Sequence, residues 1–199
     1  MTAPRRGWWR RPAVVLPVAA ALLAVAGVAL VVFQPWKLFV DDVVDEALPT
    51  AVATAPASPA APTPSESAPQ ASPSPSATVP AGPIETARGT FVTHEHATTG
   101  SVRLLTLADG TQVLRIEDLD TSNGPDLRVW LSDQPVLDGP DGWFVFDDGD
   151  YLELGRLKGN VGDQNYVVPP GTDLDSLTSV SIWCARFAVS FGAAALEPA

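Results

Sequence analysis

The sequence predicts an all-β domain, a β-sandwich or jelly-roll-like fold, preceded by one transmembrane helix and a disordered linker. Three observations carry this prediction. Met1 to Lys37 holds four Arg, one Lys and no acid, whereas all 23 acids fall beyond it. Pro49 to Pro83 is built almost wholly from Pro, Ala, Ser and Thr, which fill 30 of its 35 positions. From Ile84 onward, short runs of β-branched and aromatic residues alternate with turn sequences. A single globular domain does not segregate charge and apolar residues in this way.

Residues 1–12 form a basic tail carrying Arg5, Arg6, Arg10 and Arg11. Residues 13–33 follow as AVVLPVAAALLAVAGVALVVF, an uncharged run. As a helix at about 1.5 Å per residue it reaches roughly 31 Å, enough to span a bilayer core. Trp8, Trp9 and Trp36 flank the run and suit the headgroup regions. A cleaved signal peptide is the competing reading, but its apolar core is ordinarily only about 7–15 residues. The excess of Arg before the helix favours a cytoplasmic N-terminus and places the C-terminal part outside. Residues 34–48 read as a juxtamembrane segment containing Asp41, Asp42, Asp45 and Glu46.

Residues 49–83 contain no aromatic residue, so nothing there can bury itself to offset chain entropy. The Pro density favours extended stretches of ~3.1 Å per residue. This is the composition of a stalk that holds a domain away from the membrane, and its Ser/Thr/Pro mixture permits O-glycosylation.

Residues 84–199 are long enough for one core. They carry 18 acids against seven bases, a balance that repels phosphate and excludes nucleic acid as a partner. Runs at Val102–Leu107, Gln112–Ile116, Leu127–Leu131, Tyr151–Leu157 and Val180–Phe191 read as strands. Turn signals at Asp109-Gly110, Asn123-Gly124-Pro125, Gly139-Pro140 and Pro170-Gly171 separate them. Val180, Ile182 and Cys184 share one parity, and Trp183 and Ala185 share the other. Both faces are apolar, as in a central strand or a long strand crossing the core.

Within this region, Gly89-Thr90-Phe91 precedes His96 and Gly100. Asn123-Gly124-Pro125-Asp126-Leu127 leads into Trp130-Leu131-Ser132. Leu157-Lys158-Gly159-Asn160, Asn165-Tyr166 and Pro169 precede Val180-Ser181-Ile182-Trp183-Cys184. This spaced combination resembles the electron-transfer DM-thirteen domain family, also found in Skeletor-like proteins, over roughly Ile84 to Leu196. The resemblance implies a β-fold domain with a redox-associated function, and it places that role on Cys184. Haem-binding domains that accompany it in larger members are not among these residues, which implies a separate redox partner protein.

Cys184 is the only cysteine, which excludes an intrachain disulfide. As a redox thiol it requires partial exposure and a neighbouring positive charge, which Arg186 is placed to supply. As a core residue it acts instead as a small hydrophobe beside Trp183. His94 and His96 are the only histidines; on a strand they would share a face and both could reach one metal or haem edge. Cys184 with His96 could ligate copper or haem iron, but the ligand set is incomplete and the cofactor stays open. A strand-end pair on the surface is the simpler reading of the histidines, because solvated polar pairs are common there. Asp118-x-Asp120-x-Ser122 begins like a calcium loop, but Asn123 and Val129 fall where Gly and Glu belong, and solvated turn acids are the simpler reading. Asp147, Asp148 and Asp150 form a second such group. Hydrolase, phosphate-cradling and zinc-protease motifs are missing from the sequence.

The sequence therefore describes a single-pass membrane protein with a redox-associated ectodomain. The alternative is a non-catalytic adhesion or interaction module displayed outside the membrane. Protease added to intact spheroplasts should cleave the chain beyond the helix, within residues 49–199, and spare the N-terminus; full protection of that region would reverse the orientation.

Overall fold

The structure, a computed structural model, describes residues 12–49 and 82–199. The first eleven residues of the basic tail and most of the Pro-rich linker lie outside the described residues. Helix α1 (Pro12–Phe33) has Pro17 near its start and no charged residue in its first or last turn. It is the one helix among the described residues long and apolar enough to cross a membrane. It contains 22 residues. At about 1.5 Å per residue it reaches roughly 33 Å. A short 3-10 turn (Pro35–Phe39) follows it.

The rest is a sandwich of two sheets, as the alternating patterns predict. The first sheet contains β1 (Val43–Asp45), β2 (Ile84–Thr90), β4 (Thr98–Thr106), β5 (Gln112–Thr121), β8 (Val161–Val167) and β11 (Glu197–Pro198). Its order is β1-β8-β5-β4-β2-β11. The second contains β3 (Val92–Thr93), β6 (Leu127–Ser132), β7 (Tyr151–Arg156), β9 (Ser179–Cys184) and β10 (Val189–Ala195), in the order β3-β10-β9-β6-β7. Alternation supplies the core between them. Val102, Leu104, Leu114 and Ile116 from the first sheet are buried with Val129, Leu131, Val180 and Ile182 from the second.

The apolar run Val180–Phe191 is the strand pair β9–β10, a hairpin turning over residues 185–188. Its two apolar faces have separate causes. The inward face joins the main core, while Trp183 on the other face packs with Trp130, Phe146 and Ala193 beneath Val136 and Val145 of the 133–149 loop. A bulge between Ser190 and Gly192 turns Phe191 into the main core.

The strand that composition did not reveal is β1. It pairs in parallel with β8, Val43 with Val161 and Asp45 with Asp163. The acids read as juxtamembrane charge therefore belong to the sheet. The Glu46 carboxylate accepts hydrogen bonds from Lys158 Nζ (2.7 Å) and from the Asn165 amide (2.8 Å). The Asp42 amide donates to Asn160 Oδ1 at 2.7 Å, and Asn160 Nδ2 donates to Asp41 at 2.9 Å.

A fragment beginning at Ile84 should still fold, because both sheets and the core remain. It should unfold about 2–5 kcal/mol more easily than a fragment beginning at Val40, at roughly 1 kcal/mol per net hydrogen bond lost. Urea unfolding of the two fragments measures the difference, and equal midpoints would mean that β1 contributes nothing to stability.

Candidate redox site around Cys184

Cys184 ends β9 in the middle of the second sheet, opposite Leu127 on β6 and Val189 on β10. Its exposure is 0%, and its side chain belongs to the main core. Burial pushes the thiol pKa up. Backbone N–H groups of Phe187, Arg186 and Asp126 oppose that rise, while the Asp126 carboxylate adds to it. The sulfur is thus desolvated, and the carboxylate that acts on it, Asp126, has the wrong sign of charge for a thiolate.

Arg186 does not take the role that strand spacing gives it. The strand ends at Cys184, so Arg186 falls in the exposed 185–188 turn rather than two positions along the same face. Its charge acts on Asp126. Partial burial alone would raise that carboxyl, but the hydrogen bond from Arg128 and the charges of Arg128, Arg156 and Arg186 hold it below the usual range.

On the other face of β9, the sequence neighbour Trp183 begins a run of aromatic rings. Trp130 stacks on it with centroids 4.9 Å apart, and Tyr151 stacks on Trp130 at 4.0 Å and 7°. Phe146 meets Trp183 edge-on at 6.4 Å, and His94 stacks on Phe146 at 5.8 Å. Tyr151 is about half exposed (48%) and Trp183 only 2%. Polarizable rings therefore connect the surface to the residue beside Cys184. Single-sequence reading missed this pile because Trp130, Tyr151 and Trp183 come from three strands.

The two histidines do not converge. Residues 94–96 form a bend rather than a strand, so alternation does not apply to them. His94 is buried, with Nδ1 2.9 Å from Ser190 Oγ and Nε2 3.2 Å from the Leu137 carbonyl. That carbonyl can only accept, so Nε2 carries the proton and Nδ1 accepts from Ser190. Ser181 Oγ in turn donates to Ser190 at 3.0 Å. His96 pairs with Glu95 and lies over Phe191, ring centroids 3.9 Å apart.

Neither aspartate group forms a calcium loop. Asp118 and Asp120 lie within β5, where Asp118 adopts φ 51° at a bulge and its amide donates to Asp163 Oδ1. Among the described residues no three His, Cys, Asp or Glu side chains are grouped to hold a metal ion. His96 lines an apolar cavity of about 370 Å³ together with Phe187, Val189 and Phe191; Cys184 does not line it. A larger cavity of about 670 Å³ beside Arg88, Arg103 and Val136 contains none of the candidate residues. The structure therefore does not assemble Cys184 and His96 into a ligand pair.

Comparison with known families decides what kind of domain this is. The family model Electron transfer DM13 matches residues 90–196, more than half of the chain. The chain belongs to the Electron transfer DM13 family. No curated protein and no solved structure matches it. The DM13 match contains Cys184, both histidines and the whole aromatic pile, whereas β1 lies outside it. Motif residues that resembled the family in sequence have visible tasks in this DM13 domain. Asn123 Oδ1 accepts from the Gly124 amide, and Asn160 Nδ2 donates to the Thr121 carbonyl, fixing the end of β5 against the start of β8.

His94 gives the domain a pH dependence. Burial lowers its pKa below the ordinary value, against the opposing pull of the Leu137 carbonyl and the Asp138 carboxylate. The unfolded chain then takes up its proton first. The contribution is intact above pH ~6.5 and is lost as pH falls through the folded-state pKa. Urea unfolding from about pH 7.5 down to 5 should show a falling midpoint. His94→Gln should flatten the part of that slope due to His94 and cost about 1–2 kcal/mol at neutral pH. An unchanged slope would remove His94 as its source.

Proposed function

We propose that this protein is a membrane-anchored, extracytoplasmic redox-associated protein. In this reading Cys184 is its redox residue, and electrons are exchanged with a separate partner protein. The observation that carries the reading is membership of the Electron transfer DM13 family over residues 90–196. The Arg-rich tail before α1 supports an N-terminus on the cytoplasmic side. Cys184 begins as a protonated thiol, because burial raises its pKa. Access to it depends on opening of the 185–188 turn that follows it, whose Phe187 amide donates to the Cys184 carbonyl. The pile Tyr151–Trp130–Trp183 supports a second way in, by electron movement through rings without exposure of the sulfur.

A second reading, a non-catalytic interaction module, is favoured by one specific observation: Cys184 has no exposed surface. Alkylation does not separate the two readings. With a small alkylating reagent at pH 7, native Cys184 should react more slowly than a free thiol of pKa ≈ 8.5, and at full rate only once unfolded. The decisive step is oxidation. Under a graded redox buffer, or with a one-electron oxidant, the native protein should change at Cys184, and Cys184→Ser should abolish the change while keeping the β-rich circular dichroism. If wild type and Cys184→Ser respond identically, the thiol is a core residue and the interaction module is the better account.

A further inference from the structure

The sequence places the Pro-rich segment between anchor and domain, where it would act as a spacer. The pairing of β1 changes what that segment can do. β1 starts within ten residues of the end of α1 and lies before the linker, yet it is already part of the domain's sheet. β2, the first strand after the linker, lies in the same sheet.

The strand directions locate the two ends of the linker. β1 runs parallel to β8, and each of the pairs β8–β5, β5–β4 and β4–β2 is antiparallel. β1 therefore ends, and β2 begins, at the same end of the sheet. Four strand spacings separate them in the sheet order. At ~4.8 Å for each spacing, the gap is about 19 Å. The linker supplies 35 residues. Even as a flexible coil, a segment of that length has an r.m.s. reach of roughly 33 Å. The two ends of this segment thus join the sheet at its end away from α1, and a segment with both ends on one sheet does not set the distance between that sheet and the helix.

The connection on the anchor side is short and densely bonded. Asn123 Nδ2 donates to Asp42 Oδ2 (2.8 Å) and to the Val40 carbonyl (3.2 Å). The Val161 amide donates to the Asp42 carbonyl, and the Glu46 amide to the Asp163 carbonyl. Arg115 Nη1 donates to the Glu46 carbonyl at 2.9 Å. The backbone approach leaves no room for side chains beneath it: a Cβ on Gly159 would lie 2.3 Å from the Asp42 carbonyl oxygen, and one on Gly162 2.1 Å from that of Val44.

The end of the domain held in this way is apolar. Phe33, at the end of α1, stacks on Phe187 of the 185–188 turn, centroids 5.9 Å apart and planes 10° from parallel. Trp36, Val40 and Phe187 are each about half exposed. The 370 Å³ cavity lies at this junction, lined by Phe33, Pro35, Pro125 and Phe187 with Lys37 at its edge. Arg186 is exposed beside Phe187. Aromatic rings with cationic side chains at the end of a spanning helix suit the headgroup region. The acids at this end have partners: Glu95 pairs with His96, and Asp126 with Arg128.

We propose that the domain lies directly on the bilayer, with the Trp36 segment and the 185–188 turn in the headgroup layer, and that β1 rather than the linker holds it there. The occupant of this surface is lipid. The proposal rests on α1 spanning the membrane.

The test uses the full chain in nanodiscs of phosphatidylcholine and phosphatidylglycerol, with a site for a specific protease placed inside the linker. After cleavage, the fragment carrying residues 84–199 should remain with the disc on gel filtration, held by β1. Replacing residues 41–47 with Gly and Ser should shift that fragment from the disc to free elution. Release of the fragment with β1 intact would overturn the proposal, since that is the behaviour of a domain on a stalk. A second measurement avoids altering β1. Phe187→Cys can be spin-labelled selectively because Cys184 is buried. The label should show oxygen access and loss of access to a water-soluble nickel chelate, whereas a label at Asp109→Cys in the distal hairpin should show the reverse. Full aqueous access at position 187 would overturn the proposal. A chain that never enters discs removes the spanning reading itself, a failure distinct from release after cleavage.

Discussion

Burying a guanidinium in a β-sheet costs several kcal/mol by order of magnitude unless its N–H groups find partners. Arg115 is only 5% exposed and has four. Nε donates to Glu117, Nη1 to Asn165 and to the Glu46 carbonyl, and Nη2 to Asp163. These partners lie on β5, on β8 and on the residue that follows β1. One buried charge therefore fastens three neighbouring pieces of the first sheet. It also explains why acids near the anchor are part of the domain: Asp163 answers the charge, while Glu46 lends its backbone to Arg115 and its carboxylate to Lys158. Edge strand β8 is covered by β1 rather than left as an open row of hydrogen-bonding groups, the condition that otherwise invites pairing with other chains.

The second sheet divides its chemistry between the two faces of β9. Inward, Cys184 is desolvated and acted on by the Asp126 carboxylate, and both keep it a thiol. Outward, Trp183 stands in a pile of rings that reaches the surface at Tyr151. Because neighbouring residues on a strand point to opposite faces, the thiol and the ring pile are adjacent in sequence but separated by the sheet. An electron-transfer role for this domain must cross that sheet or open the 185–188 turn. The same turn carries Phe187, so the residues that follow Cys184 also make the contact with α1.

Much of this was legible in the sequence. Leu127, Val129 and Leu131 share one face of their run, as a strand packed on a core requires, and with the short runs separated by frequent turns the two-sheet fold followed from it. The parity of Val180, Ile182 and Cys184 against Trp183 also survived into the structure. What did not survive depended on long-range pairing. Three residues of β1, Val43-Val44-Asp45, have no local signal that separates them from juxtamembrane chain; their partners lie more than a hundred residues away. The only trace was the glycine-asparagine pair at Gly159-Asn160, whose small size and amide make sense once Asp42 is seen against them. The expected Arg186–Cys184 pairing failed for a related reason. Alternation holds only within the strand, which ends at Cys184, and Arg186 lies in the turn beyond it. The same limit applies to His94 and His96, which lie in a bend rather than on a strand face.

The short segment between α1 and the linker is thus a strand of the first sheet, although it lies outside the DM13 match. Its backbone amides report this without any substitution. Native-state hydrogen exchange of the full chain should show the Glu46 amide, bonded to the Asp163 carbonyl at 3.0 Å, protected together with the amides of β8. If Glu46 exchanges at the rate of an unstructured peptide while β8 stays protected, β1 is not part of the folded domain, and the linker alone tethers the domain to its anchor.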